Sequence, residues 1–203
     1  MSSTNRGYDR HKADYYVTPK YVVEEFLKEF KKFETIEGNI LDPCCGGSEK
    51  DPATYVEVLK DNCTDCIIHS VDIREDSKSD AILDFLEYDF GNKWKPNVII
   101  SNPPFYLAKE FIEKSLNLVN EGGFVIMLLR LNFFGSKARR PFFKNNMPKY
   151  CFIHHKRISF IPDWVNKERL EKGEKKLTAD SIEYAHFVWQ KGRSSNITET
   201  ILI

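Results

Sequence analysis

The stretch NVIISNPPFYLAKEFI, residues 97–112, combines three patterns that together decide the fold. Its first part, NVIIS (97–101), is apolar enough to be a strand buried on both faces. The run LAKEFIEKSLNLV (107–119) has the apolar spacing of an amphipathic helix. Between them, the two prolines of NPPF (102–105) cannot extend a sheet ladder, because proline has no backbone N–H to donate. A strand, a rigid turn and a helix in this order predict one unit of an α/β sheet.

Along the rest of the chain, runs with strand character alternate with runs of helical spacing. The predicted strands are residues 39–42, 66–73, 81–85, 97–101, 124–131, 150–156 and 183–191, and the predicted helices are residues 20–33, 52–60, 107–119 and 136–146. This alternation predicts a mostly parallel, seven-stranded α/β sheet with helices on both faces. Because no helical pattern separates the last two strands, we expect the last strand to be antiparallel.

The length of 203 residues favours a single domain, which we place at residues 14–191. Residues 1–13 are polar and basic and are expected to form a mobile arm, and residues 192–203 are expected to form a C-terminal tail. Within the domain, residues 161–180 carry many charges of both signs together with Trp164. We expect this segment to be a charged loop that serves as a mobile lid or a target-recognition element.

Composition and charge restrict the possible classes of function. The chain is 41% hydrophobic, which excludes a disordered protein, and its 30 basic residues balance 30 acidic ones. Any affinity for nucleic acid must therefore come from local basic patches. No apolar run is long enough to span a membrane and the polar first residues are not a signal peptide, so a cytoplasmic protein is expected.

Cysteine and histidine do not indicate a metal site. The five cysteines show no disulfide spacing, and the C-x-x-C pair Cys63 and Cys66 lacks the two further ligands that zinc requires. The pair His154 and His155 lies in a predicted strand. We therefore predict structural roles for these residues.

Polar side chains follow four successive predicted strands. Asp42 follows the first strand, Asp72 the second, Asp84 the third and Asn102 the fourth. Ligands of open α/β sheets bind at the carboxyl ends of the strands, so we expect these side chains to share one site. Asp72 is suited to accept hydrogen bonds from ribose hydroxyls, and Asp84, with Asp89 as an alternative, from an adenine amino group. These residues indicate a nucleoside ligand.

Two glycines, Gly46 and Gly47, follow the first strand and allow the backbone to turn tightly against a ligand. Their spacing is not G-x-G-x-x-G, and no lysine followed by serine or threonine opens the next helix. The loop therefore supports neither a dinucleotide fingerprint nor a P-loop, and it makes no demand for a phosphate.

Taken in order, D-P-x-x-G at 42–46, the acid at 72, D-F at 84–85 and N-P-P-F at 102–105 resemble the S-adenosylmethionine-dependent N6-adenine methyltransferases, and small phage and mobile-element enzymes most. DYYVTP (14–19), RISF (157–160) and TADSIEYAHFVW (178–189) are similar to further segments of that family. One departure is Ser48, where family members often carry a second glycine. The resemblance covers residues 14–190 and implies a Rossmann-like class I methyltransferase fold with S-adenosylmethionine as cofactor.

The resemblance also implies which residues form the site. The implied cofactor-binding residues are Tyr15, Thr18, Pro19, Asp42, Pro43, Cys44, Gly46, Asp72, Ile73, Asp84, Phe85 and Asn102. The implied catalytic residues are Asn102, Pro103, Pro104 and Phe105.

The N-P-P-F segment suits methyl transfer to a planar amine, whose lone pair is delocalised into the ring. Asn102 Oδ1 and the carbonyl of Pro103 can each accept one N–H, while the prolines fix where these acceptors point. Phe105 offers a face for a stacked base, and a base that starts in a duplex must flip out to reach it. Basic residues that can line a phosphate track are Lys137, Arg139, Arg140, Lys156 and Arg157, although the first three also fit a solvated helix face.

Adenine-N6 methylation of DNA is therefore the leading hypothesis. Two alternative substrates are adenine in RNA and the side-chain amide of a protein glutamine, because each presents the same planar amino group. Phe105, at a position where tyrosine is more usual in glutamine enzymes, favours nucleic acid. A catalytically inactive binding protein is a further alternative, and a partner subunit can supply target recognition, because the chain has no separate recognition domain.

Overall fold

The computed structural model describes residues 16–92, 94–179 and 181–203. Its strands are β1 (Gly38–Asp42), β2 (Cys66–Asp72), β3 (Ala81–Ile82), β4 (Val98–Ser101), β5 (Phe124–Arg130), β6 (Tyr150–Ile153), β7 (Tyr184–Gln190) and β8 (Glu199–Leu202). Its helices are α1 (Lys20–Phe30), α2 (Thr54–Asn62), α3 (Ala108–Leu118), α4 (Arg140–Asn145) and α5 (Asp163–Glu171). The arm expected at residues 1–13, and Tyr15, lie outside the described residues.

The strands form one sheet in the order β3-β2-β1-β4-β5-β7-β6-β8. All neighbouring pairs are parallel except β5 with β7 and β6 with β7. The chain builds outward from β1 to β3 and then returns to add β4 on the other side of β1. Strand order therefore reverses between β1 and β4, which is where open α/β sheets form their ligand crevice.

Alternate residues of the central strands supply two separate cores, as the two-residue period of a strand requires. On β1, Ile40 packs with α1 and α2 residues such as Phe26 and Val58, whereas Leu41 packs on the opposite face with α3 and α4 residues such as Ile112 and Phe142. The predicted fold class is confirmed: a mostly parallel α/β sheet with helices on both faces and an antiparallel β7.

The sheet in the described residues has eight strands, so the predicted number of seven was wrong. The additional strand, β8, lies within residues 192–203, which were expected to form a tail, and it pairs in parallel with β6. Its side chains are mostly exposed, and only Ile201 packs against the core. A strand this short and this exposed leaves no apolar alternation in the sequence to reveal it.

Two other segments also differ from expectation. Residues 161–180 contain the helix α5 rather than only a loop, and of its residues only Val165 is buried, so the apolar period is too weak to be read. Cys63 and Cys66, predicted to be structural and without a disulfide spacing in the sequence, form a disulfide between the end of α2 and the start of β2. Among the described residues, none of the helices combines the length and apolar character needed to cross a membrane.

Candidate active site

A cavity of about 310 Å³ opens at the carboxyl ends of β1, β2 and β4. Of the residues predicted to form the site, those on its wall are Thr18, Pro43, Cys44, Gly46, Asp72, Ile73, Asp84, Phe85, Asn102 and Pro104. The structure thus brings the ends of several strands together around one concave site. Pro19, Asp42, Pro103 and Phe105 do not line this cavity. Tyr55 and Tyr106, which line it, were not predicted.

The loop after β1 is held by β2. Gly46 and Gly47 have φ angles of 64° and 77°, a left-handed conformation that favours glycine. A Cβ on Gly47 would lie 3.1 Å from the backbone nitrogen of Ala53. Asp72 Oδ2 accepts a hydrogen bond from Gly46 N at 2.8 Å, and Asp72 Oδ1 accepts one from Arg74 N at 2.9 Å. The Asp72 carboxylate therefore fixes the loop as well as lining the cavity.

Asp42 lies beneath the same loop and is completely buried. Its Oδ1 accepts hydrogen bonds from Ser101 Oγ at 2.5 Å and from Cys44 N at 3.3 Å, and the Cys44 thiol lies 2.9 Å from Ser101 Oγ. Within the described part of the chain, Asp42 Oδ2 has no partner. Burial raises the pKa of Asp42 to about 7, against the opposing effect of the Ser101 and Cys44 hydrogen bonds. Asp42 therefore organises the loop from below.

Asn102, which follows β4, lines the cavity and carries an acceptor without a partner among the described residues. Its Nδ2 donates a hydrogen bond to Thr18 Oγ1 at 3.1 Å, and the Thr18 carbonyl accepts one from Thr54 Oγ1 at 2.7 Å. Asn102 Oδ1 is buried and has no hydrogen-bond partner among the described residues. Because Thr18 holds the amide nitrogen, the oxygen is the group left to interact with a ligand. Thr18 was predicted as a cofactor contact, and this positioning contact was not predicted.

Phe105 belongs to an aromatic cluster beside the cavity. Its ring is nearly parallel to that of Tyr16, at 6.3 Å and 18°, and lies 5.7 Å from that of Tyr184. The guanidinium carbon of Arg130 lies over the same ring at 4.9 Å. Phe160 contacts both tyrosines. The neighbouring Tyr106, which is 70% exposed, lines the cavity where Phe105 does not.

The turn after β3 places Asp84 and Phe85 on the cavity wall. Asp84 Oδ1 accepts a hydrogen bond from Leu86 N at 2.8 Å. Phe85 is almost wholly buried and stacks on Phe111 with a centroid distance of 5.2 Å. The alternative acid, Asp89, lies in an exposed turn where it accepts from Gly91 N and does not line the cavity. The position of Asp84 therefore fits a ligand contact better than that of Asp89.

The basic residues divide into two groups. Arg139 donates to the carbonyls of Phe133 and Asn132 at 2.7 and 3.3 Å, and it covers the Phe133 ring, so its guanidinium is engaged within the chain. Burial lowers its pKa. The others are exposed and have no ion pair with any described residue: Lys137, Arg140, Lys156 and Arg157.

Helix α5 contacts the segment that follows the glycine loop. Trp164 Nε1 donates a hydrogen bond to Asp51 Oδ1 at 2.8 Å. Lys50 Nζ lies 4.5 Å from the centroid of the Trp164 ring and 3.2 Å from Glu168 Oε1. Asp51 is buried and also accepts from Ser48 Oγ. The charged segment is thus anchored next to the cavity through a buried carboxylate.

His154 forms part of a buried polar chain rather than an isolated pair with His155. His154 Nε2 is 2.9 Å from His186 Nδ1, and His186 Nε2 is 2.8 Å from the hydroxyl of Tyr55. Burial lowers the pKa of His154 to about 4, and burial also lowers the pKa of His186 well below its ordinary value. Both imidazoles are therefore neutral near pH 7. They fix the Tyr55 ring on the cavity wall.

No protein-family model matches the chain, and no curated protein matches it significantly. Solved structures do match its fold. One is a Listeria monocytogenes protein assigned to the class I S-adenosylmethionine-dependent methyltransferases, with 17% identity and a TM-score of 0.60 over 92% of this chain and 64% of that one. A second is the M protein of the type I restriction enzyme EcoKI, with 13% identity and a TM-score of 0.55 over 95% of this chain and 47% of that one.

A third similar structure is the plantazolicin methyltransferase BpumL in complex with a desmethyl plantazolicin analogue and S-adenosylhomocysteine. It has 13% identity and a TM-score of 0.52, over 86% of this chain and 85% of that one. This chain thus spans under two thirds of the first two proteins and most of the third. At these identities, the comparisons establish the Rossmann-like class I methyltransferase fold.

The buried Asp42 predicts a pH dependence of stability that Asp42→Asn should remove. Because the folded-state pKa of about 7 lies above the ordinary value of 3.8, the folded state holds a proton that the unfolded chain has lost. Stability from this group is full below about pH 4 and is lost as pH rises to about 7, with a slope of at most about 1.4 kcal/mol per pH unit. Urea unfolding at several pH values from 5 to 8 measures it, with Asp89→Asn at the exposed turn as control. As pH rises, we expect the free energy of unfolding of Asp42→Asn to increase relative to that of the wild type. If the two free energies changed in parallel with pH, the raised pKa of Asp42 would be contradicted.

Proposed function

We propose that this chain is an S-adenosylmethionine-dependent methyltransferase that acts on the N6 amino group of adenine in DNA. One observation carries the proposal: Asn102 Oδ1 is a buried acceptor without a partner in the described residues, at the wall of a cavity that also carries Asp72 and Asp84. A buried polar atom without a partner is costly, so its acceptor role is expected to be fulfilled by a ligand.

The residues on the cavity wall fit the cofactor. Asp72 uses one lone pair on each carboxylate oxygen for backbone N–H groups and keeps others for ribose hydroxyls. Asp84 would accept from the adenine amino group, and Gly46 and Gly47 place loop backbone without side chains on the cavity wall. When bound, the cofactor supplies a methyl group on a positively charged sulfur.

Asn102 and Pro103 prepare the amine. Two acceptors, Asn102 Oδ1 and the Pro103 carbonyl, can each accept a hydrogen bond from one N–H of the amino group. They hold the nitrogen partly pyramidal, which returns electron density from the ring to the nitrogen. Pro103 is buried and Pro104 restricts the backbone of the residue before it, so the positions of these acceptors are fixed in advance. The main contribution of the protein is then alignment of the two reacting groups.

Adenine in a duplex is out of reach of Asn102 and has to be extruded. Phe105 is the aromatic side chain of the motif, and base stacking on such a ring contributes roughly 1–3 kcal/mol. Tyr16 and Arg130 flank the Phe105 ring, so one of them has to move when a base stacks there. The four exposed cations without ion pairs among the described residues, Lys137, Arg140, Lys156 and Arg157, are available for the backbone phosphates.

We further propose that residues 161–180 contribute to target recognition. Helix α5 presents an exposed face beside the cavity while Trp164 anchors it to Asp51. A partner subunit is the other source from which target recognition can come. Adenine in RNA and the side-chain amide of a protein glutamine offer the same amino group to Asn102. Asn102 alone therefore does not distinguish these substrates from DNA.

The proposal predicts methyl transfer to DNA. Purified protein with methyl-labelled S-adenosylmethionine should label unmethylated DNA, and nucleoside analysis should identify N6-methyladenine. RNA and lysate protein serve as parallel substrates. If only RNA or only protein were labelled, that material would be the substrate in place of DNA. If calorimetry detected no cofactor binding, the result would support a catalytically inactive protein.

Substitutions should separate the two halves of the site. Asn102→Ala is expected to lower turnover by roughly 100-fold or more, the scale seen when one preorganised group is removed from a reaction centre, with cofactor affinity little changed. Asp72→Ala is expected to raise the cofactor dissociation constant by roughly 10- to 100-fold, because hydrogen bonds to a charged group are lost. Calorimetry and steady-state kinetics measure both. Identical effects of the two variants would contradict this division.

Thr18→Val tests whether Thr18 positions Asn102. The change keeps the shape of the side chain and removes the acceptor for Asn102 Nδ2, so turnover should fall by roughly 2- to 10-fold, as expected for one lost hydrogen bond. Thr18→Ser keeps the hydroxyl and should restore turnover. If valine and serine behaved alike, the contact between Thr18 and Asn102 would have no part in turnover.

A further inference from the structure

Arg130 lies beside the candidate reaction centre but outside the cofactor cavity. It is the last residue of β5 and pairs with Tyr184 of β7. Strand β5 lies next to β4, which leads into Asn102. Its guanidinium carbon lies 4.9 Å from the centroid of the Phe105 ring. Arg130 is not on the wall of the cavity, and it contacts Phe105, the residue proposed to stack the substrate base.

Among the described residues, the Nε of the Arg130 guanidinium is buried and has no hydrogen-bond acceptor. The side chain also makes no ion pair with any residue of 16–92, 94–179 or 181–203. Arg139, only a few residues later, shows the contrast, because two backbone carbonyls satisfy it. A buried N–H that stays unpaired costs about 1–3 kcal/mol, and more when the group is charged. The contact with Phe105 does not supply an acceptor.

The chemistry of the missing acceptor follows from the group and its surroundings. A guanidinium presents a planar fork of donors that matches the oxygens of a phosphate. Exposed cations follow Arg130 in the chain, at Lys137 and Arg140, and none of them has an ion pair with a described residue. A neutral glutamine substrate would give this charge no partner.

We propose that Arg130 binds the phosphodiester group of the target nucleotide and so holds the extruded base at Phe105. This inference rests on the proposed function and adds a specific contact to it. Arg130 thereby links two requirements of the substrate, since its side chain packs on the stacking ring and its N–H groups contact the sugar–phosphate backbone. It contacts substrate without contacting the methyl donor.

Binding rather than turnover provides the test. The probe is a fluorescent single-stranded DNA oligonucleotide with one adenine in a thymine background, bound in the presence of S-adenosylhomocysteine and followed by anisotropy. Salt is varied from about 50 to 200 mM, over which each phosphate contact contributes about 0.7 to the slope of log affinity against log salt for single strands. Arg130→Gln is compared with Lys28→Gln, which removes an exposed positive charge at the distant end of α1.

We expect Arg130→Gln to weaken binding by roughly 10-fold and to lower the salt slope by about 0.7, while Lys28→Gln changes neither. Arg130→Lys should keep the slope and lose part of the affinity, because lysine lacks the planar fork. On an oligonucleotide with neutral methylphosphonates on both sides of the adenine, wild type and Arg130→Gln should bind equally. Unchanged affinity for S-adenosylhomocysteine will show that the variants are folded.

Two results would overturn the inference. If Arg130→Gln matched Lys28→Gln in affinity and slope, Arg130 would serve only to pack against Phe105. If binding weakened with an unchanged slope and the methylphosphonates made no difference, the contact would be to the base edge. Either result is distinct from failure of the proposed function, in which the wild type itself would not methylate DNA.

Discussion

The site depends on one buried hydrogen bond, from Ser101 Oγ at the end of β4 to the carboxylate of Asp42 at the end of β1. The same carboxylate oxygen accepts the N–H of Cys44, and Asp72 from β2 accepts the N–H of Gly46. Three adjacent parallel strands are thus fastened to one loop by two acids. A loop with glycines in left-handed conformations has little stability of its own. These hydrogen bonds therefore fix the conformation of the loop that forms the cavity wall.

Asn102 lies at the boundary between two environments. On one side is the cavity built from the ends of β1, β2 and β4, with its carboxylates and glycines. On the other side are the rings of Phe105, Phe160 and Tyr184, with Arg130 lying over Phe105. Tyr16 lines the cavity and also contacts Phe105 and Phe160. A polar, concave half and an aromatic, cationic half meet at one amide. Under the proposed function, the cofactor occupies the concave half and the substrate base the aromatic half.

The parts of the fold that bury apolar residues could be predicted from the sequence. Asp72 and Asn102 could be assigned to one cavity because the buried parallel strands β2 and β4, which precede them, leave clear apolar runs in the sequence. Strand β8 and helix α5 could not be predicted, since each buries a single side chain or fewer. The positions of Thr18 and Arg130 depend on contacts between residues far apart in the chain. No local pattern encodes such contacts, so the contacts of Thr18 and Arg130 are visible only in the folded structure.

The hydrogen bond between Trp164 and Asp51 limits how freely the segment 161–180 can be exchanged for another. A chimera that imports a helix without an indole at position 164 would leave Asp51 Oδ1 buried without its donor, at a cost of about 1–3 kcal/mol or more. Residues 48–51 and α5 therefore form one transferable unit. Grafts that cut between them would confound a change of specificity with a loss of stability.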